Sequence, residues 1–140
     1  MTQNQVNEQE VQQKYMEFRT LQQQIEQISQ HMELLQQQSL ELDISRNALE
    51  ELGKTALATE IIAPIAEGIF VKAKLEDNQK LIVNVGSNTT VERTIPETIT
   101  LLETQKREIM SRLVEADSVL QEFHAQAMKL YQEVEQHVQE

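Results

Sequence analysis

Apolar side chains recur at alternating spacings of three and four residues from Val11 to Leu49. One line reads Val11, Phe18, Ile25, Met32, Ser39, Arg46, and the interleaved line reads Lys14, Leu21, Ile28, Leu35, Leu42, Leu49. Together they keep a strict seven-residue repeat for about six heptads, which predicts a helix with a coiled-coil seam. A second run follows Pro96. Its lines are Ile99, Lys106, Leu113, Leu120, Ala127, Val134 and Leu102, Ile109, Ala116, Phe123, Leu130, His137. The two runs are nearly equal, each on the order of 60–70 Å as a helix. Gly53, directly after Leu52, reads as the residue that ends the first of them.

Between the runs, residues 60–95 change to Ile, Val, Thr and Phe with a period of two. "GIFVKAKL" sets Ile69, Val71, Ala73 and Leu75 on one side and Phe70, Lys72 and Lys74 on the other. Glu76 to Gln79 has hairpin-turn composition, after which "KLIVNVG" returns with Leu81, Val83 and Val85 aligned. "EIIAPI" and "TTVERTI" predict outer strands, with Pro64 restricted to an edge or a bulge. Gly86, Ser87 and Asn88 read as the turn of a second hairpin. Gly53, Pro64, Gly68, Gly86 and Pro96 exclude helix through the middle, so the second heptad run folds back on the first. Setting Leu49 beside Leu102 pairs most later layers apolar with apolar. It also brings Arg46 near Lys106, a like-charge approach.

The expected fold class is therefore mainly α: a long antiparallel coiled-coil hairpin with two small β-hairpins between its helices. The expected segments are a helix over 1–53, the β-hairpins over 54–95 and a returning helix over 96–140. Roughly 36 residues of strand do not enclose a core, and open strand edges invite aggregation. Both problems vanish if strands from several chains close an intersubunit β-barrel. Ile61, Ile69, Val71, Leu81, Val83, Val85 and Val91 are the expected oligomer interface.

Composition narrows the partners. The 140 residues carry a net charge of −11. Residues 1–53 hold three basic and nine acidic side chains, residues 94–140 hold four and nine, and the middle holds five of each. The excess negative charge lies wholly on the helices, which argues against nucleic acid and anionic lipid as partners. The chain has no Cys, hence no disulfide or thiolate chemistry. "MTQNQVNEQE" shows no signal-peptide pattern, and no apolar run approaches the roughly 20 residues of a membrane span. A soluble cytoplasmic protein is expected.

Candidate chemistry adds little. "LIVNVGSNTTVERTIPE" outlines a strand, a loop and a helix start, as a phosphate loop does, but "VGSNTT" lacks the GxxxxGK[ST] order and no Lys follows. Thr94 with Glu97 fits a capping box, whereas Pro96 at the first helical position makes Ile95 the cap. His31, His124 and His137 are scattered, so no metal site and no cofactor are expected. Acidic pairs on exposed helices lack the pocket that acid–base work needs, and the chain does not read as an enzyme. Asn88-Thr89-Thr90 matches a glycosylation sequon, which is idle without secretion.

The functional signal lies at the two ends, which meet in a helical hairpin. Val11, Phe18, Leu130 and Val134 complete the seam, while Val6, Tyr15, Tyr131 and Val138 lie off or beyond it. Val6, Val11, Tyr15, Tyr131, Val134 and Val138 are the candidate substrate-binding residues, offering weak and adaptable apolar contacts.

The order heptad helix, "APIAEGIFVKAKL", "LIVNVGSNTTVERT", heptad helix resembles an α-class prefoldin subunit over essentially the whole chain. The most specific positions are Pro64, Gly68, Phe70, Val71, Lys72 and Ala73, then Val85, Gly86, Val91 and Glu92. Ala66 and Asn88 stand where the family usually has glycine. The resemblance implies a heterohexamer of two α-class and four β-class subunits whose hairpins form a double β-barrel; a single α class paired with one β class is the archaeal arrangement. It also implies an ATP-independent chaperone that captures unfolded polypeptides at the coiled-coil tips and passes them to a cytosolic group II chaperonin. The alternative is a structural protein, a prefoldin-like filament or a tethering coiled coil.

Overall fold

The structure is a computed structural model that describes residues 3–139, with side chains described from residue 7 to residue 136. Six elements follow in chain order: α1 (Gln3–Lys54), β1 (Glu60–Ala66), β2 (Ile69–Lys74), β3 (Lys80–Gly86), β4 (Thr89–Thr94) and α2 (Ile95–Gln139). They divide into two compact units. One holds residues 1–38 and 109–140, and the other holds residues 39–108.

The helices form because one narrow stripe of each is apolar and the rest is Gln, Glu and other helix-tolerant polar residues. On α1 every seam position from Val11 to Leu49 is at least partly buried except Arg46, and on α2 so is every one from Ile99 to Val134. In the helical unit Leu35 on α1 and Ala127 on α2 are the most deeply buried apolar residues described. The heptad lines thus mark the packed faces of both helices.

In the second unit two ion pairs join the helices. Arg46 Nη2 lies 3.1 Å from Glu103 Oε1, and Lys106 Nζ lies 2.6 Å from Asp43 Oδ1. Setting Leu49 beside Leu102 brings Arg46 near Lys106 and leaves these carboxylate partners out of account. Each cation meets a carboxylate on the facing helix. Lys106→Glu, which sets two carboxylates against each other, is expected to lower stability by about 1 kcal/mol, because the pair is partly solvated. Asp43→Lys in the same chain should restore most of the loss, as read by thermal unfolding at low salt.

The strands form two separate two-stranded sheets, β1–β2 and β3–β4. Their ladders have one design. Glu60 pairs with Lys74, Ala63 with Val71 and Ala66 with Ile69, and the register shifts between Pro64 and Ala66. Twenty residues on, Lys80 pairs with Thr94, Val83 with Val91 and Gly86 with Thr89, and the register shifts between Asn84 and Gly86. Ile65 and Val85 are the extra residues at the two bulges. Pro64 is accommodated at its bulge, where a missing N–H does least harm to the ladder. The hydrogen bonds leaving the hairpins repeat as well: Leu75 N–H donates to Thr59 O at 3.0 Å and Ile95 N–H to Gln79 O at 3.0 Å. The middle segment repeats one hairpin design in tandem, although only Ile62/Ile82 and Val71/Val91 are identical between the copies.

Glu76–Gln79 is not a hairpin turn, because β2 and β3 belong to different sheets. It is a connector that ties both helix ends together. Asp77 Oδ1 accepts the N–H groups of Gln79 at 2.8 Å and Lys80 at 3.1 Å, and these bonds hold its carboxyl below the usual carboxylate range. Asn78 Nδ2 donates to Thr55 O at the end of α1, at 2.9 Å. Gln79 O receives Ile95 N–H at the start of α2. Thr94 Oγ1 accepts Glu97 N–H at 3.2 Å, so Thr94 is the helix cap and Pro96 occupies the second helical position. Leu75, Ile95 and Thr98 are buried around this connector.

α1 does not stop at Gly53; it continues to Lys54, and a Cβ at Gly53 would meet Ile95 Cδ1 at an ordinary 3.6 Å. The chain reverses at Ala58, which takes φ 67° and donates its N–H to Leu75 O at 2.8 Å. A side chain in that left-handed conformation is strained. Ala58→Gly is expected to raise stability by up to about 1 kcal/mol. Gly86→Ala, at φ +121°, should lower it by about 1–3 kcal/mol. Opposite shifts of Tm in the two variants check the pair.

Candidate functional site

The surfaces open to a partner are apolar groups on the helical unit and on the hairpins. In the helical unit the Phe18 and Tyr131 rings lie 6.2 Å apart and tilted by 41°, across the pair of helices. Lys14 Nζ meets Glu133 Oε2 at 3.3 Å beside them. Val11 and Val134 are partly buried in the seam. Tyr131 remains 59% exposed despite Phe18. Tyr15 is also exposed, and it takes the Arg19 guanidinium over its ring at 5.9 Å. The Val6 and Val138 side chains lie outside the described residues.

Open grooves run along this unit: one is lined by Ile28, Ala116 and Val119 with Arg112 and Glu115, and two more lie beside Leu130 and Tyr131. The first of these two is lined by Met16, Thr20, Leu21 and Leu130, with Glu17 and Glu133 among its polar groups. The second is lined by Phe18, Ile25, Ala127, Met128 and Tyr131, with Glu26 and His124. The first is built on Leu21 and Leu130 of one seam line, and the second on Phe18, Ile25 and Ala127 of the other, so they flank opposite sides of the seam. Gln13, Gln24, Gln126 and Lys129 also line the first, so its apolar wall lies among flexible polar side chains of both charges. Among the described residues no group of three or more His, Cys, Asp and Glu is arranged to hold a metal. What the grooves offer is non-directional apolar contact beside carboxylates. Met16 and Met128 were not legible from the heptads, because they sit off both seam lines; an apolar residue at a position the seam does not use is the signal that finds them.

On the hairpins, Ile61, Leu81, Val83 and Val91 are partly buried by their cross-strand neighbours, while Ile69, Val71 and Val85 are exposed. Val85 does not continue the line of Leu81 and Val83, because the bulge falls at that residue. A second set was not anticipated: Ile62 and Ile82, identical in the two hairpin copies, are 68% and 80% exposed. Ile65 and Val85, the paired bulge residues, are exposed too. Apolar groups repeated on this scale mark a surface made for contact.

The comparisons agree with this anatomy. The family model described as "Prefoldin subunit" matches residues 21–140. Prefoldin subunit alpha of Pyrococcus horikoshii is 33% identical over 134 residues, covering 93% of this chain and 90% of that protein. Prefoldin subunit alpha of Archaeoglobus fulgidus is 27% identical over 135 residues, covering 91% and 93%. Among solved structures, filamentous prefoldin from Methanocaldococcus jannaschii has the same fold, with a TM-score of 0.74 at 22% identity over 83% of this chain and 96% of that chain. Two long heptad helices joined by a repeated β-hairpin are thus found together with the family's sequence pattern, and the chain belongs to the prefoldin family, with α-class subunits as its relatives.

Proposed function

We propose that this chain is a subunit of an ATP-independent chaperone that captures unfolded polypeptides on its helical unit and hands them to a group II chaperonin. The observation that carries the reading is the exposed aromatic and methionine surface around Phe18, Tyr131, Met16 and Met128. It is sequence-tolerant, weak at each contact and free of any group that would commit a client to one pose. Val6, Val11, Tyr15, Tyr131, Val134 and Val138 contribute to capture at the chain ends. Acidic neighbours such as Glu17, Glu26 and Glu133 keep the surface solvated and favour basic segments of clients.

The hairpins serve assembly. Ile62, Ile65, Ile69, Phe70, Ile82 and Val85 are each more than half exposed on two small sheets, an apolar surface of the kind that a partner covers. Ile61, Ile69, Val71, Leu81, Val83, Val85 and Val91 lie in an intersubunit β-barrel with β-class partners, two α-class and four β-class chains to a particle. Several capture surfaces on one particle raise avidity by about 10²–10⁴ without tight binding at any one of them, so release needs no nucleotide. The native mass of this chain with and without a β-class partner tests the assembly. A discrete particle that suppresses aggregation of an unfolded protein only when both chains are present is the expected result.

A second reading, growth of the chain into a structural filament, is favoured by the match to a filamentous prefoldin. Electron microscopy of the chain alone separates the two: long filaments support the second reading and discrete particles the first.

A further inference from the structure

We propose that Met16 and Met128 are oxidation sites that switch client capture, an inference that rests on the capture reading above. The chain has no Cys, so its five Met residues are its only sulfur atoms. Met16 is 69% exposed and Met128 63%, and each lines one of the two grooves beside Leu130 and Tyr131. Met110 is less exposed, at 47%, and lines neither groove, while Met32 is partly buried on a seam line. A thioether accessible to solvent reacts with a peroxide in one two-electron step. A sulfur lone pair attacks one peroxide oxygen, the O–O bond breaks, and a sulfur–oxygen bond forms. Sulfur is oxidised, and the peroxide is reduced to water, or to an alcohol if it is an alkyl hydroperoxide.

The product suits a switch. A sulfoxide is polar, chiral and a strong hydrogen-bond acceptor, whereas the thioether is a soft apolar filler. Placed in the grooves, it replaces apolar wall beside Leu21 and Leu130 on one side, and beside Phe18 and Tyr131 on the other, with a group that prefers water. The seam is untouched, because both sulfurs lie off the heptad lines. Capture therefore weakens while the fold persists, and methionine sulfoxide reductases of both stereospecificities reverse the change.

The test uses the full chain in its native assembly, treated with hydrogen peroxide that is removed before a guanidine-unfolded client is added. Peptide mapping should find Met16 and Met128 oxidised well before Met32. Treated wild-type assembly should suppress aggregation several-fold less well than untreated, with native mass and helix content unchanged, and sulfoxide reductases should restore it. Measured against its own untreated level, whatever that level is, capture by Met16→Leu with Met128→Leu should lose nothing further to peroxide, whereas Met110→Leu should lose as large a fraction as wild type. Full capture with both sites mapped as sulfoxide overturns the proposal, and so does equal loss in wild type and the double variant. If the untreated chain holds no client, the capture reading itself has failed. The switch is then judged on the grooves directly, by binding of the apolar dye anilinonaphthalene sulfonate, and dye binding unchanged by peroxide overturns it.

Discussion

Val83→Asp is expected to take the chain from its assembled mass to that of a single subunit. Val83 pairs with Val91 across the second hairpin and is partly buried there already. A neighbouring strand in a barrel would complete that burial, and a carboxylate left without a cation in such a place costs about 3–5 kcal/mol. That is roughly a 10²–10⁴-fold loss in association constant. Val83→Thr, of nearly the same shape, should keep the particle or weaken it only slightly. Ile82→Asp is the companion measurement. Ile82 is largely exposed on the opposite face, across from Glu92, so the second carboxylate costs the isolated hairpin at most about 1 kcal/mol, and a loss of assembly beyond that reports the joint itself. If neither Asp variant changes the mass, the hairpins are not where subunits meet.

Tyr15→Ser combined with Tyr131→Ser should lower aggregation suppression at least about tenfold in the assembled particle. Each ring is more than half exposed, so its loss costs the helix pair little. Per capture surface the effect is only that of a lost aromatic contact, about 1 kcal/mol. Repeated over the copies in one particle, it multiplies, because avidity compounds small losses as it compounds small gains. Helix content and native mass serve as controls. Suppression equal to wild type would remove both rings from the client site.

The helices were legible because a heptad is a local pattern: Val11 to Leu49 and Ile99 to Val134 name their own buried stripes. How the two stripes are set against each other was less legible. Apolar layers fit several alignments, and Arg46 with Glu103 and Lys106 with Asp43 are side-chain pairings from opposite helices that no local pattern announces. The strands are legible from their alternation, but the connecting role of Glu76–Gln79 is not. Its residues have turn chemistry, and Asp77 does make a turn; pairing between β2 and β3, which decides whether a turn joins a hairpin, is not written in the turn. The repeat of the hairpin is hidden in the sequence for a similar reason. A ladder constrains polarity, bulge and turn at each position, and residues as different as Pro64 and Asn84 satisfy the same slot. Of the residues proposed for capture, Tyr15 and Tyr131 are legible as aromatics off the seam, whereas Met16 and Met128 are lost in a surface rich in flexible side chains.

The doubled hairpin has a consequence best put in the language of polymer chemistry. A monomer with one joining group can only pair and stop; a monomer with two has a functionality of two, and it closes a ring or propagates a line. On the assembly reading, this chain is of the second kind, since its two hairpins share one ladder and differ in surface. What it becomes is then a matter of supply: scarce single-site partners leave chains free to extend, and abundant ones act as chain stoppers that fix the particle's size. The choice between a capsule-like catcher and a fibre would be set by the ratio of subunits a cell makes, with no change in any residue.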